Sequence, residues 1–250
     1  MSRGEPAIPT DFQRTGLLIR RDGQPVQMPF ISRALEPAAL PAVQGIHREA
    51  LRRLSEPGLV RADSEAFFAD HFTDEGRTLG VFAEDRLIAY AILGLPAGPG
   101  YRYDRFAEDL GLPAGDWSRI AQLIGVAVLP AWRGNRLHRR LCEWRLQLAS
   151  MMDRWHIAAV SAPGNAYSWR NLLAVGLRIK GIKLLGGEHL RYLFYADLRG
   201  SSALDSATAV TVEVVAIAEQ RNLLAQGYWG YAAVMDRGVL KIRYARPALP

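Results

Sequence analysis

Residues 126–144 read VAVLPAWRGNRLHRRLCEW: an apolar run that ends at Pro130, then Arg133, Arg136, Arg139 and Arg140 grouped around Gly134. A strand that runs into a glycine loop and opens a helix turns backbone N–H groups and the positive end of the helix dipole toward whatever lies in front of it. Guanidinium groups bind phosphate bidentately, so the residue types and their order suit a phosphorylated ligand. By charge alone the same arginines equally serve to solvate a helix face. Pro130 cannot donate to a sheet ladder, so strand pairing should fail beside it and leave the backbone of Val126, Ala127 and Val128 open to a ligand lying along the strand edge.

The elements that must position this segment alternate around it. Residues 1–27 read as an irregular leader before a first strand at VQMPFISRAL. Leu40, Val43, Ile46, Ala50 and Leu54 mark one apolar helix stripe, and Asp63 or Ser64 caps a short helix after it. Two strands joined at Glu84-Asp85-Arg86 form a hairpin, followed by a glycine-, proline- and aromatic-rich loop, PAGPGYRYDRFAEDLGLPAGD, with one helical turn. A long strand, WSRIAQLIGVAVL, enters the arginine segment. Leu137, Leu141, Trp144, Leu148 and Met151 then define a helix, HIAAVSA a buried strand, and GNAYSWRNLLAVGL a second helix closed by Gly176. Strands RIKGIKLL and HLRYLFYADL complete a domain over residues 28–198. After a polar break, residues 199–250 form a strand, helix and hairpin across Asp236-Arg237-Gly238. That extension is small enough to need packing on the main domain or on a second copy, which gives a route to a homodimer.

Composition bounds the remaining choices. The chain has 250 residues, 49% of them hydrophobic, and a net charge of +6 that is nearly all arginine, lysine occurring only at Lys180, Lys183 and Lys241. No stretch approaches a membrane span and the first residues carry no signal-type apolar run, so a cytoplasmic protein without membrane association is expected. One cysteine, Cys142, and five histidines without paired spacing give no basis for a metal site. The arginines cluster on one loop, with no aromatic-interleaved basic stripe, which argues against nucleic acid as a partner.

The order Val126, Val128, Pro130, Arg133, Gly134, Leu141 resembles V-x-V-x-P-x-x-R-G-x-G-x-x-x-x-L, the acyl-CoA-binding segment of the GNAT N-acetyltransferase superfamily. Downstream, Asn165, Ser168, Leu172, Gly176 and Leu177 resemble that superfamily's N-x-x-S-x-x-x-L-x-x-x-G-[FL] helix. The resemblance implies an α/β GNAT fold: a mixed central sheet with two splayed parallel strands and flanking helices, here with a small C-terminal α/β extension. It implies acetyl-CoA or another acyl-CoA as co-substrate. The backbone at Val126, Ala127 and Val128 would bind the pantetheine arm and polarise the thioester carbonyl. The backbone amides of Arg133, Gly134, Asn135, Arg136, Leu137, His138 and Arg139 would hold the pyrophosphate, and Asn165 and Ser168 would face the pantetheine. The implied acceptor is a primary amine on a small molecule or peptide, entering over the first helices and the aromatic loop. There, Tyr101, Tyr103 and Phe106 either line an acceptor pocket or anchor the loop.

Two departures bear on chemistry. Arg136 stands where the motif has its second glycine, a position where positive φ is costly for a side chain; it either crowds a phosphate or supplies charge to it. Leu172 stands where many GNAT enzymes carry the tyrosine that protonates the departing thiolate. Ser168, one turn earlier, is the candidate left for that role, although serine there also suits helix capping. Gln122 offers no carboxylate as base, and His156 is read as a satisfied surface residue. No catalytic residue is assigned, and a catalytically silent acyl-CoA-binding module is the alternative reading.

Overall fold

The computed structural model describes residues 12–54, 56, 58–96, 106–200 and 202–248. In chain order these form β1 (Arg14–Arg20), β2 (Val26–Ala34), α1 (Leu40–Arg52), α2 (Glu65–Asp70), β3 (Gly76–Ala83), β4 (Arg86–Gly94), α3 (Phe106–Asp109), β5 (Ile120–Val128), α4 (Leu137–Met151), β6 (His156–Ser161), α5 (Ala166–Ala174), β7 (Arg178–Leu185) and β8 (His189–Asp197). β9 (Val210–Glu213), α6 (Ile217–Ala225), β10 (Trp229–Asp236) and β11 (Val239–Ala245) follow. Among the described residues they build one sheet in the order β1-β2-β3-β4-β5-β6-β8-β7-β10-β11-β9. Only β5 and β6 run parallel; the other neighbours are antiparallel.

Local chemistry accounts for most of these boundaries. Glu84 and Asp85 both take positive φ (52° and 57°), as do Arg237 and Gly238 (48° and 81°), the backbone of tight turns whose twist matches the strands they join. Ser64 accepts the Phe67 amide at 3.1 Å and starts α2. α5 ends in a paired cap: Gly176, at φ +98°, donates to Leu173 O at 3.0 Å, and Leu177 donates to Leu172 O at 3.1 Å.

Two expectations change. The leader expected to stay irregular through residue 27 contains β1, an edge strand held by the insertion of Leu18, which is fully buried. Glycine and proline on either side of RTGLLIR obscure so short a strand. The segment before β5 begins its strand only at Ile120, because residues 114–119 coil into a 3-10 turn whose Trp117 Nε1 donates to Leu112 O at 3.2 Å.

The sheet is covered on both faces. On β6, Ala158 packs with Phe106 and Leu193, whereas Ile157 and Ala159 join the main core, as alternating side chains of a strand must. The C-terminal unit continues the sheet through one register pair, Gly230 with Ile179. Beside it, Lys180 Nζ sits 3.1 Å from the centroid of the Trp229 ring. Within the unit, Gln220 ties helix to strands: it donates to Glu213 O and Val214 O and accepts from the Tyr244 hydroxyl at 2.8 Å. Among the described residues no helix is long and apolar enough to cross a membrane.

The β7–β10 seam is tight at Gly230, where a Cβ would meet Ile179 Cβ and Tyr244 Cε1 at 3.0 Å each. Gly230→Val is therefore expected to destabilise the protein by about 1–3 kcal/mol through overpacking. Thermal melting measures the loss, and limited proteolysis should show faster cleavage in the connection after β8.

Candidate acyl-CoA site

The site is built where β5 and β6 diverge. β5 pairs with β6 from Ile120–His156 to Leu123–Ala159 and then stops. From Ile124 to Val128 it pairs with β4 alone, across a register shift between Ala91 and Ile92. Gly125 is the extra residue of this bulge, at φ +38°, and a Cβ there would approach Ile92 Cδ1 to 2.9 Å. The open edge at Val126, Ala127 and Val128 is therefore present, but its cause differs from expectation. Divergence begins at the bulge, well ahead of Pro130, which instead opens a 3-10 turn over Pro130–Trp132.

The loop that follows leaves amides exposed. Trp132 and Arg133 donate to Leu129 O and Pro130 O at 2.9 and 3.1 Å. Among the described residues nothing accepts from the amides of Gly134, Asn135, Arg136, Leu137, His138 or Arg139. Gly134 takes φ +81°, and Arg136, at the N-cap of α4, takes φ 57° and ψ 22° with no side-chain cap. A non-glycine residue is thus held in the left-handed region, at a cost on the order of 1 kcal/mol.

Around these amides the side chains take separate roles. Arg133 is excluded as an amide donor, and its Nε lies 3.3 Å from Val128 O, over part of the strand edge. Asn135 faces β1: it accepts from Ile19 N at 2.8 Å and donates to Ile19 O and Trp132 O at 2.7 and 3.0 Å. Arg139 is paired with Glu143 at 3.0 Å, and Leu137 buries its side chain in the core. Arg136 is exposed without an ion-pair partner among the described residues. β1 brings a further cation that sequence reasoning missed, since Arg21 Nε lies 3.2 Å from where a Cβ of Gly134 would stand. Arg21 N also donates to Ala131 O at 2.7 Å, so β1 braces the loop by both backbone and side chain.

The second helix meets the first at its N-terminal end. Asn165 caps α5, its Oδ1 accepting from Ser168 N at 3.2 Å. This is a structural use of the side chain expected to face a ligand. Ser168 is partly buried, and its hydroxyl has no hydrogen-bond partner among the described residues. His138 Nδ1 accepts from Asn171 Nδ2 at 2.9 Å, and Asn171 also holds Tyr167 O at 2.6 Å, joining α4 to α5. Burial, then the nearby Arg145 charge, lowers the His138 pKa to about 4. Leu172 is 3% exposed and belongs to the core, which rules out that position as a source of protons.

A water-sized hollow is lined by Pro96, Phe106, Glu108, Trp117, Ile120 and Gln122. Phe106 is a buried anchor; Tyr101 and Tyr103 lie outside the described residues. His156, expected at the surface, is instead buried, because it opens the central strand β6; it sits at the far end of β6 from the open edge, its Nδ1 sharing a 2.8 Å hydrogen bond with the Tyr195 hydroxyl.

Asn135→Ala removes two hydrogen bonds that join β1 to the loop and a third, to Trp132 O, within it. It is expected to cost about 1–3 kcal/mol and to raise hydrogen exchange at the Ile19 amide. His138 gives a pH signature. Its folded pKa of about 4 lies below the ordinary 6.5, so the unfolded chain takes up the proton first. Stability from this group is present above pH 6.5 and falls as pH drops toward 4. His138→Gln should therefore flatten the melting temperature against pH in that window, while His47 and His71, also lowered by burial, keep their own share of the slope.

No family model and no curated protein matches the sequence. Solved structures do match in fold. A putative acetyltransferase from Salmonella typhimurium with its cofactor acetyl-CoA is 17% identical at TM-score 0.50, over 71% of this chain and 98% of that one. The GNAT domain of an S. lividans protein is 16% identical at TM-score 0.50, over 76% and 99%. An Arabidopsis thaliana protein in complex with acetyl-CoA is 14% identical at TM-score 0.52, over 68% and 99%. At such identities the likeness speaks to architecture, and with the β5–β6 divergence and the α4 loop in the expected order, the chain has the GNAT fold.

Proposed function

We propose that the chain is an acyl-CoA-dependent N-acyltransferase that moves an acetyl group to a primary amine of a small molecule or peptide. The observation that carries this reading is the continuity of the open β5 edge with the amide-lined loop at the start of α4. A pantetheine arm needs an extended chain partner, and a pyrophosphate needs converging N–H donors beside positive charge. Residues Val126–Val128 supply the first; the amides from Gly134 to Arg139, with Arg21 and Arg136, supply the second. Acetyl-CoA in the Salmonella and Arabidopsis structures supports the same choice of ligand.

The chain's own groups divide the chemistry simply. Backbone at the open edge holds the thioester carbonyl and stabilises the charge that develops on its oxygen. A neutral amine positioned at the open edge forms the new N–C bond as the C–S bond breaks, and positioning supplies much of the rate. With Leu172 in the core, Ser168 or a water it orients takes the proton relay to the departing sulfur. The buried Leu172 also favours one alternative, a silent acyl-CoA-binding module. Binding of acetyl-CoA without acyl transfer to any of a panel of amines would select it.

Gly134→Asp puts a carboxylate on the phosphate loop and is expected to lower acetyl-CoA affinity by more than about tenfold while leaving the fold intact. Arg136→Gly relieves a left-handed residue but removes an unpaired cation, so melting temperature should rise while acetyl-CoA affinity falls, the fall shrinking as salt is added. Calorimetric titration with acetyl-CoA at low and high salt measures both; unchanged binding in Gly134→Asp removes the cofactor assignment.

A further inference from the structure

Arg145 projects from α4 into the core, 1% exposed, with no carboxylate paired to it among the described residues. Its Nη1 donates to Ile92 O at 2.8 Å and to Ile124 O at 2.9 Å, the two residues that face each other at the β4–β5 bulge. Nε donates to Leu141 O at 3.1 Å, and Nη2 lies 3.5 Å from Cys142 Sγ. Burying a guanidinium without a counter-charge is expensive, and an apolar side chain would fill this space at lower desolvation cost. An apolar side chain would, however, leave the carbonyls of Ile92 and Ile124, which face each other beside the bulge, without the guanidinium that ties them to α4. The clamp therefore acts at the point where β5 leaves β6, one residue before Gly125 and two before the open edge begins.

We propose that Arg145 is a positioning residue for acyl transfer: by clamping the bulge it fixes where the backbone of Val126–Val128 stands against a thioester carbonyl. This rests on the acyl-CoA reading above and adds to it a residue that touches neither ligand nor acceptor. Because α4 begins at the phosphate loop and carries Arg145 further along, one rigid helix sets the spacing between the loop and the reacting strand.

The test uses carbonyl-labelled acetyl-CoA and infrared difference spectroscopy on the intact protein, with melting temperature and acetyl-CoA affinity measured alongside. In the wild type the bound carbonyl stretch moves to lower frequency than in solution. A folded Arg145→Met is expected to lose most of that displacement and about tenfold in transfer rate while keeping affinity within about threefold, since small misplacements of a reacting group act on rate more than on binding. Arg145→Lys, which keeps a cationic donor one atom shorter on α4, should restore part of both. If Arg145→Met does not fold, Gly125→Ala crowds the same bulge from the strand side and carries the same expectation. An undiminished displacement in a folded Arg145→Met or Gly125→Ala overturns the proposal. A wild type that binds no acetyl-CoA overturns the functional reading instead.

Discussion

Neighbouring strands of a sheet can separate only if the backbone groups they release find other partners. That constraint organises this protein. β5 gives up β6 after Leu123, and the bulge at Gly125 turns its remaining edge away. Beside the bulge Arg145 donates to Ile92 O of β4 and to Ile124 O of β5, which ties α4 to both strands at that point. The amides and carbonyls on the β6 side are left for solvent or a ligand. The opening is thus held from one side so that the other side stays available.

The same logic explains the cost accepted in the loop. Arg136 occupies a left-handed conformation that glycine would adopt freely, and α4 begins without a side-chain cap. Stability for that strained turn comes from outside it. β1 bonds to Asn135 and Ala131, the Asn171–His138 contact ties α4 to α5, and the buried Leu137 roots the first turn in the core. An edge strand added before the first strand of the resembled domain is therefore integral to the architecture of the loop. At the opposite edge, the C-terminal unit joins through the Gly230–Ile179 pair, the Lys180–Trp229 contact, packing of β10 on α5 and of α6 on β7, and a shared core, far from the open edge along the strand order.

Charge is distributed to match. Arg21 and Arg136 have no ion-pair partner among the described residues and flank the free amides, whereas Arg139 is neutralised by Glu143 and Arg145 is sealed in the core. His138 is held neutral by burial beside Arg145, so it adds no cation to the loop near neutral pH. Of the four arginines grouped around Gly134, the exposed one at the helix cap is the one best placed to face a phosphate.

Read alone, the sequence determined the alternation of strands and helices, the hairpin turns at Glu84-Asp85 and Arg237-Gly238, the glycine stop of α5 and the loop at Gly134. Each of these rests on local rules: apolar period, positive φ and helix capping act within a few residues. It also placed the open strand edge correctly while attributing it to Pro130, because a bulge depends on register with a neighbouring strand and Gly125 alone does not announce one. What only the tertiary structure decided are the pairings across distance. The side chain of Asn135 turned out to bond to β1, that of Asn165 to cap its own helix, Leu172 to belong to the core, and Arg145 to clamp two strands. A side chain's type limits what it can bond, but its partner is set by which backbone the fold brings within about 3 Å.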